Sequence, residues 1–153
     1  APFSLTADPQ FYIDFIPHKE ALEVITTALS FGESILKITG EVGTGKTLLC
    51  NKLQTELSEQ YHICTIDNAY LSAQELRHLL ANKIGLDKSE SEQQFLLTEQ
   101  IKERLLVLFK SGKKVLLLVD EAQALPDSTL EALRLFSNLE SGEDKLLQVV
   151  LFG

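Results

Sequence analysis

An uninterrupted apolar run, Val115-Leu116-Leu117-Leu118-Val119, ends on two adjacent acids, Asp120 and Glu121. Side chains along a strand point alternately to opposite faces, so a run without polar alternation has no face to turn to water. Such a strand needs cover on both sides, which a parallel sheet between two layers of helices supplies. The rest of the chain agrees. Residues 35–39, 62–67 (HICTID) and 146–152 are further β-rich blocks. Between them apolar residues return at helical spacing, through Leu49, Leu53 and Leu57, then Leu76, Leu79, Leu80 and Ile84. Two more such patterns follow, Phe95, Ile101, Leu105, Leu108 and Phe109, and then Leu130, Leu133 and Leu139. Ser72 followed by Glu75 makes a capping box, Gly112 is placed to stop a helix, and Pro126-Asp127 open the last one. Residues 85–94 are polar and loop-like. This alternation predicts an α/β fold, a three-layer αβα arrangement around a mainly parallel sheet. There is neither a linker nor an internal repeat, so one domain is expected over 1–153.

Composition narrows the classes further. The 153 residues are 44% hydrophobic and 24% charged, which excludes a disordered or low-complexity chain. Net charge is −8, and Lys and Arg nowhere cluster into the basic face that sequence-independent coating of nucleic acid requires. A local DNA contact stays open. Two cysteines, Cys50 and Cys64, make no disulfide framework and lack metal-ligand spacing, so both are expected as small buried residues in a reducing cytoplasm. No apolar stretch approaches the ~20 residues of a membrane span. The chain contains no Met and stops at the end of an apolar strand pattern, and reads as an excerpt from a longer protein.

Between the first β-rich block and the first helical pattern stands Gly40-Glu41-Val42-Gly43-Thr44-Gly45-Lys46-Thr47. This is G-x-x-x-x-G-K-[ST] in the strand-to-helix context that the motif needs. Glycines let successive N–H groups turn inward as an anion nest, and the helix start adds free N–H groups and a positive dipole end. Lys46 brings a point charge toward β and γ phosphates, and the Thr47 hydroxyl is a hard oxygen suited to Mg²⁺. Residues 40–47 are therefore the expected phosphate-binding set.

The acid pair completes the chemistry. Asp120 and Glu121 follow a buried strand, at the sheet edge where ligands of open α/β sheets bind, and the glycine-rich loop lies at the same edge. Asp120 is expected in the Mg²⁺ shell, directly or through water, and Glu121 is placed to orient and polarise an attacking water. Glu after Asp favours hydrolysis over simple sensing. The guanine-reading Asn-Lys-x-Asp is absent, which points to ATP.

GEVGTGKT, VLLLVDEAQAL and LRLFSNLESGEDKLLQVVLFG, with the opening PFSLTADPQFYIDFIPHKEAL, together resemble the ExeA/GspA-type AAA ATPases of bacterial secretion and type IV pilus systems. The likeness covers nearly the whole chain, and within the family the pilus-biogenesis members lie nearest. It implies an AAA-type sheet cut after the fourth core strand, with the fifth strand, sensor residue, arginine finger and helical lid all beyond Gly153. The first core strand would then show a bare outer edge. The resemblance also implies a switch role for Asn68, bonding Glu121 until a partner engages, although Asn equally suits a strand-end turn. Phe15, Ile16, Pro17 and His18 are its adenine-side candidates, His18 being also a natural helix start. Leu48 stands where a second Thr is common, so the resemblance implies that it joins the phosphate-binding set through its backbone N–H alone, and Ala124 stands where Asn is frequent. None of Arg77, Arg104 and Arg134 holds the finger position, and Arg134 is expected at the surface or a subunit contact.

The reading that follows is an oligomeric, Mg²⁺-dependent ATPase assisting assembly of a pilus or secretion apparatus, cytoplasmic or peripheral to the inner membrane. Two others compete with it. A nucleotide-gated regulator that loads on DNA, as in transposition, would show DNA-stimulated turnover with steep salt dependence. A scaffold that binds ATP without turnover fits poorly with an intact Asp120-Glu121 pair.

Overall fold

The computed structural model describes residues 10–14, 18–39, 45–86 and 94–153. In chain order the elements are β1 (Gln10–Asp14), α1 (His18–Ser30), β2 (Ile35–Thr39), α2 (Gly45–Leu57), β3 (Tyr61–Ile66), α3 (Ala73–Lys83), α4 (Gln94–Lys110) and β4 (Lys114–Val119). A short 3₁₀ turn (Ala122–Ala124), α5 (Asp127–Ser137), the small strands β5 (Glu140–Ser141) and β6 (Asp144–Lys145), and β7 (Leu147–Phe152) complete it. Five strands form one sheet in the order β1-β2-β7-β4-β3, every pairing parallel.

The apolar run behaves as its pattern demands. Val115, Leu117 and Val119 point into a core with α3, α4 and α5, packed with Leu76, Leu80, Ile101, Leu105 and Phe136. Leu116 and Leu118 point the other way, to Ile25, Leu29, Leu49 and Leu53 of α1 and α2. The neighbouring β7 repeats the division, Val149 and Leu151 to the first core, Val150 and Phe152 to the second. Two helical layers therefore sandwich the sheet, and β4 and β7 carry its centre.

Local signals fall where expected. Ser72 Oγ accepts from Glu75 N–H at 3.1 Å while Glu75 Oε1 accepts from Ser72 N–H at 2.8 Å, both halves of the capping box at the start of α3. Gly112 sits at φ +101° just past α4, where its N–H reaches Phe109 O and that of Lys113 reaches Leu108 O.

Several expectations need correction. The edge of β2 is not bare: β1 pairs along it from Gln10–Ile35 to Asp14–Thr39. A short segment adding backbone hydrogen bonds to an open edge gives almost no hydrophobic period, so the pattern did not mark it as a strand. Phe95 is 71% exposed at the head of α4, and Leu97 fills the core place instead. Strand β3 begins and ends one residue early, at Tyr61 and Ile66. Leu139 lies past the end of α5, its carbonyl accepting from Leu146 N–H across the β5–β6 hairpin. Only Cys64 is fully buried, and Cys50 is half-exposed. Among the described residues no helix is long and apolar enough to cross a membrane.

One polar group sits in the middle of the sandwich. Gln148 on β7 is completely buried. Its Nε2 donates to Leu29 O at 3.0 Å and Glu33 O at 2.8 Å, while its Oε1 accepts from Tyr61 OH. It thus ties the end of α1 and the start of β3 to the central strand. A buried polar group stripped of its partner costs about 1–3 kcal/mol. Gln148→Leu is therefore expected to lower stability by about 2–4 kcal/mol and Tyr61→Phe by about 1 kcal/mol. Urea unfolding should show a lower midpoint at unchanged slope; no loss in Gln148→Leu would show the network to be dispensable.

Candidate functional site

Three charged side chains meet at the carboxyl edge of the sheet. Lys46 is the second residue of α2, which begins at Gly45 directly after the glycine-rich loop. Asp120 is the first residue past β4, its N–H donating to Ile66 O at 2.9 Å. Although 74 residues apart, the Lys46 ammonium and Asp120 Oδ1 are ion-paired, and Glu121 Oε2 lies 3.9 Å from the same Nζ. The Lys46 side chain is only 17% exposed, so this pair is screened by solvent less than a surface pair.

Glu121 has an unusual backbone. Its φ of 54° and ψ of 44° make it the one non-glycine residue in the left-handed region among the described residues. Such a conformation costs a non-glycine residue about 1–3 kcal/mol and is held only where the surroundings over-determine it. Here the 3₁₀ turn that follows fixes it, through Ala124 N–H to Glu121 O at 3.0 Å. The carboxylate is 59% exposed, and besides the Lys46 ammonium near Oε2 it is met by Gln123 Nε2, which donates to Oε1 at 2.7 Å.

A cleft of about 160 Å³ opens beside this group, lined by Lys46, Thr47, Cys50, Asp67, Asp120 and Phe152 among others. Cys50 stands one helical turn after Lys46 and so shares its face. Burial pushes its thiol above the ordinary range, Asp120 adds to that, Lys46 works against it, and Asp67 adds a smaller push upward. Burial alone raises the Cys64 thiol to about 11, although Lys83 opposes it.

The predicted residues divide as follows. Lys46, Thr47, Asp120 and Glu121 are brought together, with Leu48 half-exposed in the first turn of α2. Gly40, Glu41, Val42, Gly43 and Thr44 lie outside the described residues, as do Phe15, Ile16 and Pro17. His18 is the first residue of α1. Asn68 lines a separate neighbouring cleft, and its Oδ1 accepts from Tyr70 N–H at 3.0 Å in a local turn. Among the described residues no hydrogen bond joins it to Glu121. Arg134 pairs with Glu131 at 2.7 Å on the half-exposed side of α5. Sequence reasoning missed Gln123 and Cys50, although the spacing of Cys50 from Lys46 was legible.

The donor set is suited to a hard cation only in part. Thr47 offers a hydroxyl and Asp120 a carboxylate, and a cation, the Lys46 ammonium, already rests against the acid pair. Among the described residues no group of three or more His, Cys, Asp or Glu could cage a metal alone. A hydroxyl and one carboxylate are the donor types with which Mg²⁺ is commonly held beside substrate phosphates.

A parallel αβα sheet with a lysine at the loop-to-helix step and an acid pair after the central strand defines a P-loop NTPase fold. Within that class the chain belongs to the AAA domain family, whose profile matches residues 28–153. It is also similar to general secretion pathway protein A of Aeromonas hydrophila, 38% identical over 152 residues. That match takes in 99% of this chain but 28% of the relative, so the chain spans little more than a quarter of that protein's length.

The raised thiol gives a direct probe of the cleft. Cys50 should alkylate more slowly than a free cysteine at mildly alkaline pH, since less of it is thiolate. Lys46→Ala removes the cation that opposes the shift and should slow Cys50 further. Mass-spectrometric rates against pH decide it, and faster labelling in Lys46→Ala would contradict the arrangement.

Proposed function

We propose that this chain is the ATP-binding and hydrolysing core of an AAA-type ATPase that serves a secretion or pilus-assembly apparatus. The observation that carries the reading is the convergence of Lys46, from the start of α2, with Asp120 and Glu121, from the end of β4. Each part has a task in phosphoryl transfer to water. The backbone N–H groups of residues 40–48 and the start of α2 would receive the phosphates. Lys46 would leave Asp120 for the β and γ phosphates, an exchange of one anionic partner for another that frees the Asp120 carboxylate. Thr47 and Asp120 would hold Mg²⁺, which when bound offsets phosphate charge. Glu121 would orient the attacking water and accept its proton.

Residues 1–153 would be an AAA-type ATPase core. The working form would be a homo-oligomer on the cytoplasmic face, peripheral to the inner membrane through other regions. The similarity to general secretion pathway protein A supports the secretion assignment. By its motif tracts the chain would belong to the branch serving mannose-sensitive haemagglutinin pilus biogenesis. Asn68, engaged with Tyr70 at rest, would act as a switch by turning to Glu121 when a partner binds.

Two substitutions separate binding from chemistry in the full-length protein. Lys46→Ala should weaken binding of a fluorescent ATP analogue about a hundredfold, as a charge-assisted contact in a half-buried site is lost. Glu121→Gln should bind as tightly as the unaltered protein yet turn over at least ~100-fold more slowly, the usual scale for a positioned base. Titration beside single-turnover hydrolysis tests both. Undiminished binding in Lys46→Ala, or equal loss of binding and turnover in Glu121→Gln, would overturn the reading.

A further inference from the structure

The only direct hydrogen-bond partner of the Glu121 carboxylate among the described residues is Gln123, an exposed side chain that lies beside the end of β7. Its Nε2 donates to Glu121 Oε1 at 2.7 Å. Its Oε1 lies 3.0 Å, and its backbone N 3.4 Å, from where a Cβ on Gly153 would stand. Gly153 in turn donates its N–H to Ile38 O at 3.1 Å, on the strand that leads into the glycine-rich loop. Neighbouring groups therefore lead from β2, through the end of β7 and the Gln123 carboxamide beside it, to the acid beside Lys46.

We infer that Gln123 is a positioning residue for Glu121, fixing the carboxylate through Oε1 and being set in turn by a glycine at the end of β7. The inference rests on the hydrolytic reading of the site and deepens it. A carboxylate on a solvent-exposed side chain has several rotamers open to it, and orienting a water demands one of them. The left-handed backbone at Glu121 fixes where the side chain leaves the chain, but not where its oxygens point. The amide donor supplies the second constraint. It holds Oε1 and leaves Oε2 facing the Lys46 ammonium, where the phosphates are expected. An amide is the fitting group because it donates without bringing charge. A carboxylate at 123 would set acceptor against acceptor and repel Glu121. Gly153 matters for a different reason: a methyl there would crowd the carboxamide oxygen, which must shift by a few tenths of an ångström and carry the donor with it.

The test uses the full-length protein and three substitutions. Gln123→Met keeps length and apolar volume without the donor. Gln123→Glu keeps the shape and reverses the hydrogen bond. Gly153→Ala leaves Gln123 intact and crowds it. Loss of one hydrogen bond to a charged group corresponds to about ten- to hundredfold in rate. Gln123→Met is expected to lower kcat by that factor with KM for Mg·ATP within about twofold, and Gln123→Glu to lower it further. Gly153→Ala should lower kcat by a smaller factor in the unaltered background and by nothing more in Gln123→Met, the non-additivity expected of groups acting through one contact. Thermal midpoints and ATP-analogue affinity identify any variant that has failed to fold.

A role in shape alone predicts Gln123→Glu close to the unaltered rate, and that result would overturn the inference. So would additive losses in the Gly153→Ala, Gln123→Met double variant, or a rise in KM with kcat unchanged. Absence of hydrolysis by the unaltered protein is a separate outcome, which removes the hydrolytic reading and this inference with it.

Discussion

Two-sided burial of β4 and β7 is the constraint on which the molecule depends. Both strands are apolar at nearly every position and divide their side chains between two helical layers. Only a parallel sheet with crossover helices on each face satisfies such strands, because each crossover carries the cover for the strand it leaves. Parallel strands also bring all their carboxyl ends to one edge, where the following loops must begin. The site is a consequence of this arrangement. The turn after β4 and the helix after the glycine-rich loop meet there whatever residues they carry, and these residues happen to be an acid pair, a lysine and a threonine.

At that edge, order is imposed by charge and strain together. The Lys46 ammonium against Asp120 offsets two charges that would otherwise sit half-buried and alone. The same ammonium is shared with Glu121 at 3.9 Å, so a third anionic group arriving in the cleft competes for a cation already in place. The left-handed backbone of Glu121 and the hydrogen bond from the Gln123 amide narrow the positions open to the remaining acid. Farther in, Gln148 joins the end of α1, β3 and β7 through one carboxamide, which ties α1 to the sheet.

Much of this was legible in the residues. The run 115–119, the helical spacings and the Ser72 capping box gave the α/β class and most element positions, since each is a local pattern set by burial or by a neighbouring N–H. The failures have the same physical origin. Strand β1 is five residues long, with three apolar or aromatic side chains between Gln10 and Asp14, too short a stretch to show a period. Phe95 was read as core because it is large and apolar, yet α4 turns Leu97 inward and leaves Phe95 at 71% exposure. Asn68 was open between a switch and a turn. Its bond to Tyr70 N–H shows the turn in the resting geometry, while any exchange toward Glu121 needs a second state.

What the sequence by itself determined is therefore the class of fold, the glycine-rich loop with Lys46 and Thr47, and the acid pair after a central strand. These depend on short spacings that any parallel αβα chain must express locally. What only the tertiary structure decided is who touches whom across long separations. The Lys46–Asp120 pair, the Gln148 network, the cover of β2 by β1 and the contact of Gln123 with Gly153 are of this kind. Each depends on strand order and register, which arise from packing the whole sheet at once, so no local window of residues contains them.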